Sequence, residues 1–222
     1  MATAACAVAG LALPVSGCGS KPLALPADPI DRAATCGVVA AANARQKANS
    51  ARGALPFEEQ GRILHYGMIV ASQGGAFQQD KVSAVVKRMP EIEGEITGRD
   101  FTTLTAPCAG AFPAAGRTSG ISLPSDPFQA RLGCYELGSF LNRSLQSQTL
   151  AYGNRLSDYG SLRRRLDYAV GASLRQRGAT TKAAQDRLRT RALATMVELG
   201  SPAAVMDQCL ARYPDHGARE SG

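Results

Sequence analysis

Apolar residues recur at intervals of three or four along most of the chain, which is the spacing of an amphipathic helix. Leu162, Leu166 and Leu174 form one such apolar face. Pro90 is expected to end a helix and to be followed by a polar turn over 91–100. The pattern predicts helices at 29–51, 57–73, 77–89 and 102–112, and again at 127–148, 156–177, 181–199 and 202–213.

Composition agrees with an all-α fold. Aromatic residues make up 5% of the chain, there is no Trp, and Ala is abundant. This mixture suits closely packed helices better than strands, which favour β-branched and aromatic residues. No apolar run is long enough to favour a strand over a helix.

Two Asp-Pro pairs predict helix starts, because the carboxylate caps free N–H groups and proline suits the first helical position. Asp28-Pro29 precedes Cys36, and Asp126-Pro127 precedes Cys134, each Pro lying seven residues before its Cys.

Two further matches follow in the same order and at a nearly constant offset. They indicate an internal duplication, the alternative being chance similarity between two Ala-rich helical stretches. The matches are R-x-L-x-Y at 62–66 and 164–168, and then Leu104, Cys108, Phe112 and Pro113 against Val205, Cys209, Tyr213 and Pro214. We therefore expect two tandem disulfide-closed helical-bundle units.

The expected organisation of the chain has six parts. They are a signal peptide at 1–17, a tether at 18–27, a first unit at 28–114, a linker at 115–125, a second unit at 126–215 and a disordered tail at 216–222.

The first 17 residues are uncharged and small or apolar, as in the apolar region of a secretory signal. They end in Val15-Ser16-Gly17-Cys18, which resembles the lipobox of bacterial lipoproteins. The resemblance implies cleavage before Cys18, diacylglycerol on its thiol, and a membrane-anchored envelope protein facing the periplasm. No Lys or Arg precedes the run. Plain secretion and a cytosolic protein with an Ala-rich start remain the alternatives.

Cleavage would leave Cys36, Cys108, Cys134 and Cys209 for disulfides, and four cysteines allow three pairings. Each lies on an apolar stripe of the first or last helix of its unit. The repeat therefore predicts Cys36–Cys108 and Cys134–Cys209. A disulfide that closes a loop of roughly 75 residues stabilises the folded state by about 4 kcal/mol. Zinc is the competing interpretation, but the cysteines are single and the chain has two His, so we expect no metal site.

The net charge is +7, and eight arginines fall within two predicted helices of the second unit. Arg163, Arg164 and Arg165 are the densest group and are candidates for binding phosphate or carboxylate. The expected partners are an anionic envelope component, such as phospholipid, lipopolysaccharide or peptidoglycan, or an envelope protein. The alternative is a solvated helix face. No nucleic acid is expected, because there is no binding motif or interleaved aromatic pattern.

His65 is the best candidate for acid–base chemistry. Glu58 lies two helical turns before it, and Glu59 is next to Glu58 in sequence. The alternative is an exposed or half-buried helix histidine. The chain has no G-x-S-x-G, H-E-x-x-H, phosphate loop or EF-hand loop. We therefore expect a non-enzymatic binding or assembly module without a cofactor. An enzyme or accessory factor acting on cell-wall or lipid material, through these three residues, is the alternative.

Overall fold

A computed structural model describes residues 22–49 and 53–215, and these form helices joined by turns, with no strand. The helices are α1 Pro29–Lys47, α2 Phe57–Ser72, α3 Gln79–Thr97, α4 Thr105–Ala111, α5 Pro127–Ser144, α6 Thr149–Gln176, α7 Lys182–Leu199 and α8 Pro202–Arg212. Short 3₁₀ turns lie at Phe101–Leu104, Pro113–Gly116 and Gln146–Gln148.

Three predicted features lie outside the described residues: the signal peptide, Cys18 and the tail at 216–222. The described end of the predicted tether lies against the first unit. Leu23 and Leu25 pack on its core, and Arg32 donates to the carbonyl oxygens of Pro26 at 2.9 Å and Ala27 at 2.8 Å. Within the described ranges, no helix has both the length and the apolar character needed to cross a bilayer.

Both Asp-Pro pairs begin helices as predicted. The Asp28 carboxylate accepts from the backbone N–H groups of Ile30 at 2.9 Å and Asp31 at 3.0 Å. Asp126 accepts from the N–H of Phe128 at 2.9 Å. These bonds satisfy donors that the first turn of a helix otherwise leaves free.

Pro90 does not end its helix, and the turn predicted after it is wrong. Pro90 lies inside α3, which continues to Thr97. Proline costs the helix one hydrogen bond, but Ile92 and Ile96 extend the buried stripe of Val82 and Val85 at helical spacing. Burial of these side chains stabilises the helix beyond the proline.

The predicted boundary between the helices at 127–148 and 156–177 is wrong. α5 ends at Ser144 and α6 begins at Thr149, seven residues before the predicted start. Leu145 is buried in the intervening turn, and Tyr152 and Leu156 extend the buried face of α6 toward its start. The structure therefore joins these two helices by a short connection.

Both predicted disulfides are present. Cys36 on α1 is bonded to Cys108 on α4, with Cα atoms 5.4 Å apart. Cys134 on α5 is bonded to Cys209 on α8, with Cα atoms 5.7 Å apart. All four residues are buried, so each disulfide closes the first helix of its unit onto the last from inside the core.

The two expected units are not separate bundles, because α2 contributes to two cores. Ile63 and Tyr66 pack into the core formed by the first unit. Phe57, Met68 and Ala71 pack into a larger core formed mainly by α5 to α8. One helix thus presents apolar side chains to both sides, and the second unit's core is incomplete without it.

Polar and aromatic contacts also join the two units. The Tyr152 hydroxyl donates to the carbonyl oxygen of Leu55 at 2.6 Å. The backbone N–H of Phe77 donates to the carbonyl oxygen of Thr190 at 3.1 Å. The Phe77 ring meets Phe140 edge-on, with centroids 5.2 Å apart. These contacts add directional bonds to the shared core.

The predicted linker is packed against the second unit. The Arg117 guanidinium donates to the carbonyl oxygen of Leu199 at 3.1 Å, and the Ser201 N–H donates to the carbonyl oxygen of Arg117 at 2.8 Å. Ile121 packs on the core of the second unit. A Cβ on Gly200 would lie 2.7 Å from the Arg117 carbonyl oxygen, so the close approach requires glycine there.

The proposed repeat is matched in its caps and disulfides but not in its R-x-L-x-Y motif. Tyr66 is buried and meets Phe112 edge-on, with ring centroids 5.3 Å apart. Tyr168, its predicted counterpart, is 82% exposed. The two motifs therefore occupy different faces of their helices.

Candidate functional site

A groove between α5 and α6 brings three arginines together, and we call it the arginine groove. It has a volume of 480 Å³ and is lined by Arg143, Arg163 and Arg164 together with neutral residues. The neutral lining residues are Asn142, Gln146, Thr149, Gly153, Leu156, Ser157 and Gly160. No acidic residue lines this groove in the described part of the chain.

Small residues on α6 make room for the groove. Gly153, Ser157 and Gly160 recur at intervals of four and three, so they share one helix face. A Cβ on Gly153 would meet nothing within 4 Å. A Cβ on Gly160 would lie 3.7 Å from a terminal nitrogen of Arg164, so that guanidinium lies over the glycine.

Tyr135 on α5 holds one of the guanidinium groups in place. The Arg163 guanidinium carbon lies 5.6 Å from the centre of the Tyr135 ring, within the range of a cation–π contact. The Tyr135 hydroxyl donates to Asp167 at 2.8 Å, which fixes the ring. Tyr135 and Asp167 line a recess that adjoins the arginine groove at Gly160, Arg163 and Arg164.

The three arginines in the groove have no acidic partner among the described residues: none of Arg143, Arg163 and Arg164 forms an ion pair there. The Arg163 Nε is buried without a hydrogen-bond partner. Arg164 donates only to the Ser161 hydroxyl, at 2.9 Å. The groove therefore presents positive charge that its own side chains leave uncompensated.

The structure separates Arg165 from the other two predicted residues. Its guanidinium donates to the Tyr213 carbonyl oxygen at 3.0 Å and to Asp215 at 3.4 Å. Arg165 thus ties α6 to the end of α8. A run of three residues on a helix spreads over a wide arc of its circumference, so sequence adjacency did not place the three guanidinium groups together.

Arg143 was missed by the sequence analysis. It is a single arginine in the last turn of α5, with no basic neighbour in sequence. The short connection from Ser144 to Thr149 brings it beside α6. A prediction that started α6 at Thr149 would have left only a short connection after α5, and would thereby have placed Arg143 beside α6.

Further arginines of the basic helices are used within the fold or lie elsewhere. Arg177 pairs with Asp126 at 3.4 Å and lies over the Phe128 ring at 4.1 Å. Arg189 forms an ion pair with Glu136. The dense arginine sequence therefore does not form a single surface.

Glu58, Glu59 and His65 do not form a common site. His65 is fully buried, and its Nε2 donates to the Val197 carbonyl oxygen at 2.8 Å. The expectation of an exposed or half-buried histidine is wrong, because α7 covers this face of α2. Burial lowers the pKa of His65 to about 4, and the bond to Val197 opposes the shift.

The two carboxylates bind other side chains. Glu58 pairs with Arg155 at 3.2 Å, and Arg155 also pairs with Asp207 at 2.8 Å. Glu59 pairs with Arg62 at 2.8 Å. The first of these networks joins α2 to α6 and α8, so Glu58 contributes to the contact between the units.

Across residues 22–49 and 53–215, no group of three or more His, Cys, Asp or Glu side chains is arranged to hold a metal ion. Comparison of the chain with protein-family models, with curated proteins and with solved structures found no match. The geometry of the chain's own residues is therefore the basis for the functional argument.

Proposed function

We propose that this chain is an exported, lipid-anchored cell-envelope protein that acts as a non-enzymatic binding module. Its arginine groove binds a phosphate or carboxylate group of an anionic envelope component. The observation that carries the proposal is the set of three arginines in a groove without an acidic lining residue. Guanidinium groups bind such anions through paired, charge-assisted hydrogen bonds.

The disulfides support export. Two buried disulfides fit a protein that folds in an oxidising compartment, because thiols are kept reduced in the cytosol. The lipobox-like sequence ending at Cys18 adds a reason to expect attachment to a membrane. A tether would then keep the arginine groove within reach of anionic headgroups or wall polymer.

The binding test replaces two of the arginines. We expect Arg163→Ser with Arg164→Ser to weaken retention on vesicles containing phosphatidylglycerol, or on isolated sacculi, by about tenfold or more. The binding of the unmodified protein is expected to fall as salt rises. Running vesicles and sacculi in parallel shows which of the two supplies the anion.

The matched control is Arg187→Ser with Arg191→Ser, which removes the same charge. These exposed arginines lie on α7 and do not line the arginine groove. The control is expected to retain binding. Equal weakening by both pairs would show that net charge, and not the groove, governs retention, and would contradict the proposal.

The anchor is tested independently at Cys18. In cells fed labelled palmitate, we expect the protein to carry label and to fractionate with membranes. Cys18→Ser is expected to abolish the label and release the protein into the soluble fraction, because a single thiol carries the acyl chains. A mature protein that retains Met1 and carries no lipid by intact-mass measurement would contradict the anchor while leaving the groove untouched.

A further inference from the structure

A second cleft lies in the first unit, between α1, α2 and α3, and we call it the apolar cleft. Its volume is 610 Å³, within the range of small-molecule sites of about 300–1,000 Å³. Most of its lining is apolar and includes Val38, Ile63, Val82, Met89 and, from the turn after α5, Leu145. It has no lining residue in common with the arginine groove.

The interior of the cleft is apolar and adjustable. The Met89 side chain packs against α1, where a Cβ on Gly37 would lie 3.1 Å from its sulfur. Methionine is unbranched and fits ligands of irregular shape. Val86, at the mouth of the cleft, is 48% exposed, which is unusual for a large apolar residue in this fold.

The rim of the cleft carries positive charge. Arg45 on α1 and Lys87 on α3 both line it. Among the described residues, neither side chain takes part in a hydrogen bond or ion pair. Glu93 is the one acidic residue in the described lining, and Gln60 and Gln148 add amide donors. This distribution complements a ligand with an apolar body and a single anionic head.

We propose that the apolar cleft binds a fatty acid, with the acyl chain along the apolar lining and the carboxylate paired with one of the two rim cations, Arg45 or Lys87. Burial of the methylene groups of the acyl chain against the apolar lining favours binding. Either cation can supply charge-assisted hydrogen bonds to the head. The site is independent of the arginine groove and of the anchor at Cys18.

The probes are laurate and its neutral counterpart dodecanol, titrated into the delipidated full-length protein by calorimetry. We expect saturable binding of one laurate per chain and binding of dodecanol about tenfold weaker. Arg45→Gln with Lys87→Gln is expected to remove that preference and leave dodecanol affinity unchanged. Equal affinity of the unmodified protein for the two probes would overturn the role of the rim, and absence of saturable laurate binding would overturn the site.

A space-filling variant tests the location of the ligand. Ala41 lines the cleft, and Ala41→Phe is expected to lower laurate affinity at least about tenfold. Ala84→Phe is the matched control, since Ala84 is exposed on α3 and does not line the cleft. Equal loss in both variants would contradict the assignment. A dimer that Ala41→Phe dissociates, seen by sedimentation, would show that a second copy occupies the cleft and would also contradict it.

Discussion

Cys134→Ala together with Cys209→Ala is expected to lower the free energy of unfolding by about 4 kcal/mol. The two residues are 75 apart in sequence, so the disulfide restricts a long loop in the unfolded chain. Both are fully buried, and alanine leaves no unpaired polar group in their place. A loss of this size corresponds to a fall in Tm of about 8–16 °C for a chain of this length.

Urea denaturation of the oxidised proteins measures this effect, and the reduced proteins provide the control. After reduction, the unmodified chain and the double variant are expected to unfold at nearly the same urea concentration, because both then lack the same constraint. A difference below about 1 kcal/mol between the oxidised proteins would contradict the chain-entropy argument. A large difference that persists after reduction would assign the loss to packing of the cysteine side chains.

The disulfide pairing was predictable because it depends on local patterns. Cys108 lies four residues from both Leu104 and Phe112, and all three are buried in the structure. A residue with that spacing faces the core, whatever the helix packs against. The same holds for the Asp28 and Asp126 caps, whose hydrogen bonds lie within one turn of their own helix.

The contact between the two units was not predictable from such patterns. Periodicity shows that a helix has an apolar face, but not that α2 has two faces used by two cores. Ile63 and Met68 point to different cores although they lie only five residues apart. Such a helix has little solvated surface, and its sequence reads as one broad apolar stripe. His65 was misjudged for the same reason.

The candidate site was predictable only in part. Arg163 and Arg164 were recognisable by their density, but Arg143 reaches the arginine groove through the packing of α5 on α6. The apolar cleft had no sequence signal, since Val38, Ile63 and Val82 have the spacing of ordinary core residues. Which apolar residues line a cleft depends on how three helices diverge, and that is a tertiary property.

Acidification is expected to destabilise the folded chain through His65. Its pKa is lowered from 6.5 to about 4 in the folded state because burial disfavours the charged ring. Nε2 donates to Val197, and Nδ1 is buried without a partner, so protonation would place a new donor where no acceptor lies. The unfolded chain therefore binds this proton at a higher pH than the folded chain.

The sign follows from that difference in pKa. Above pH 6.5 neither state is protonated at His65, and its contribution to stability is fully present. As the pH falls from 6.5 to 4, only the unfolded state takes up the proton, and stability falls by about 3 kcal/mol. Below pH 4 the folded state is protonated as well, and the loss from this residue levels off.

Urea denaturation of the unmodified chain and of His65→Gln, from pH 7.5 to pH 4, isolates this contribution. The two proteins differ only at position 65, so the difference between the two curves reports His65 alone. We expect that difference to change by about 3 kcal/mol across the range. A difference in stability that stays constant with pH would show that His65 has an ordinary pKa in the folded protein. The contact of α2 with α7 would then open to water around His65.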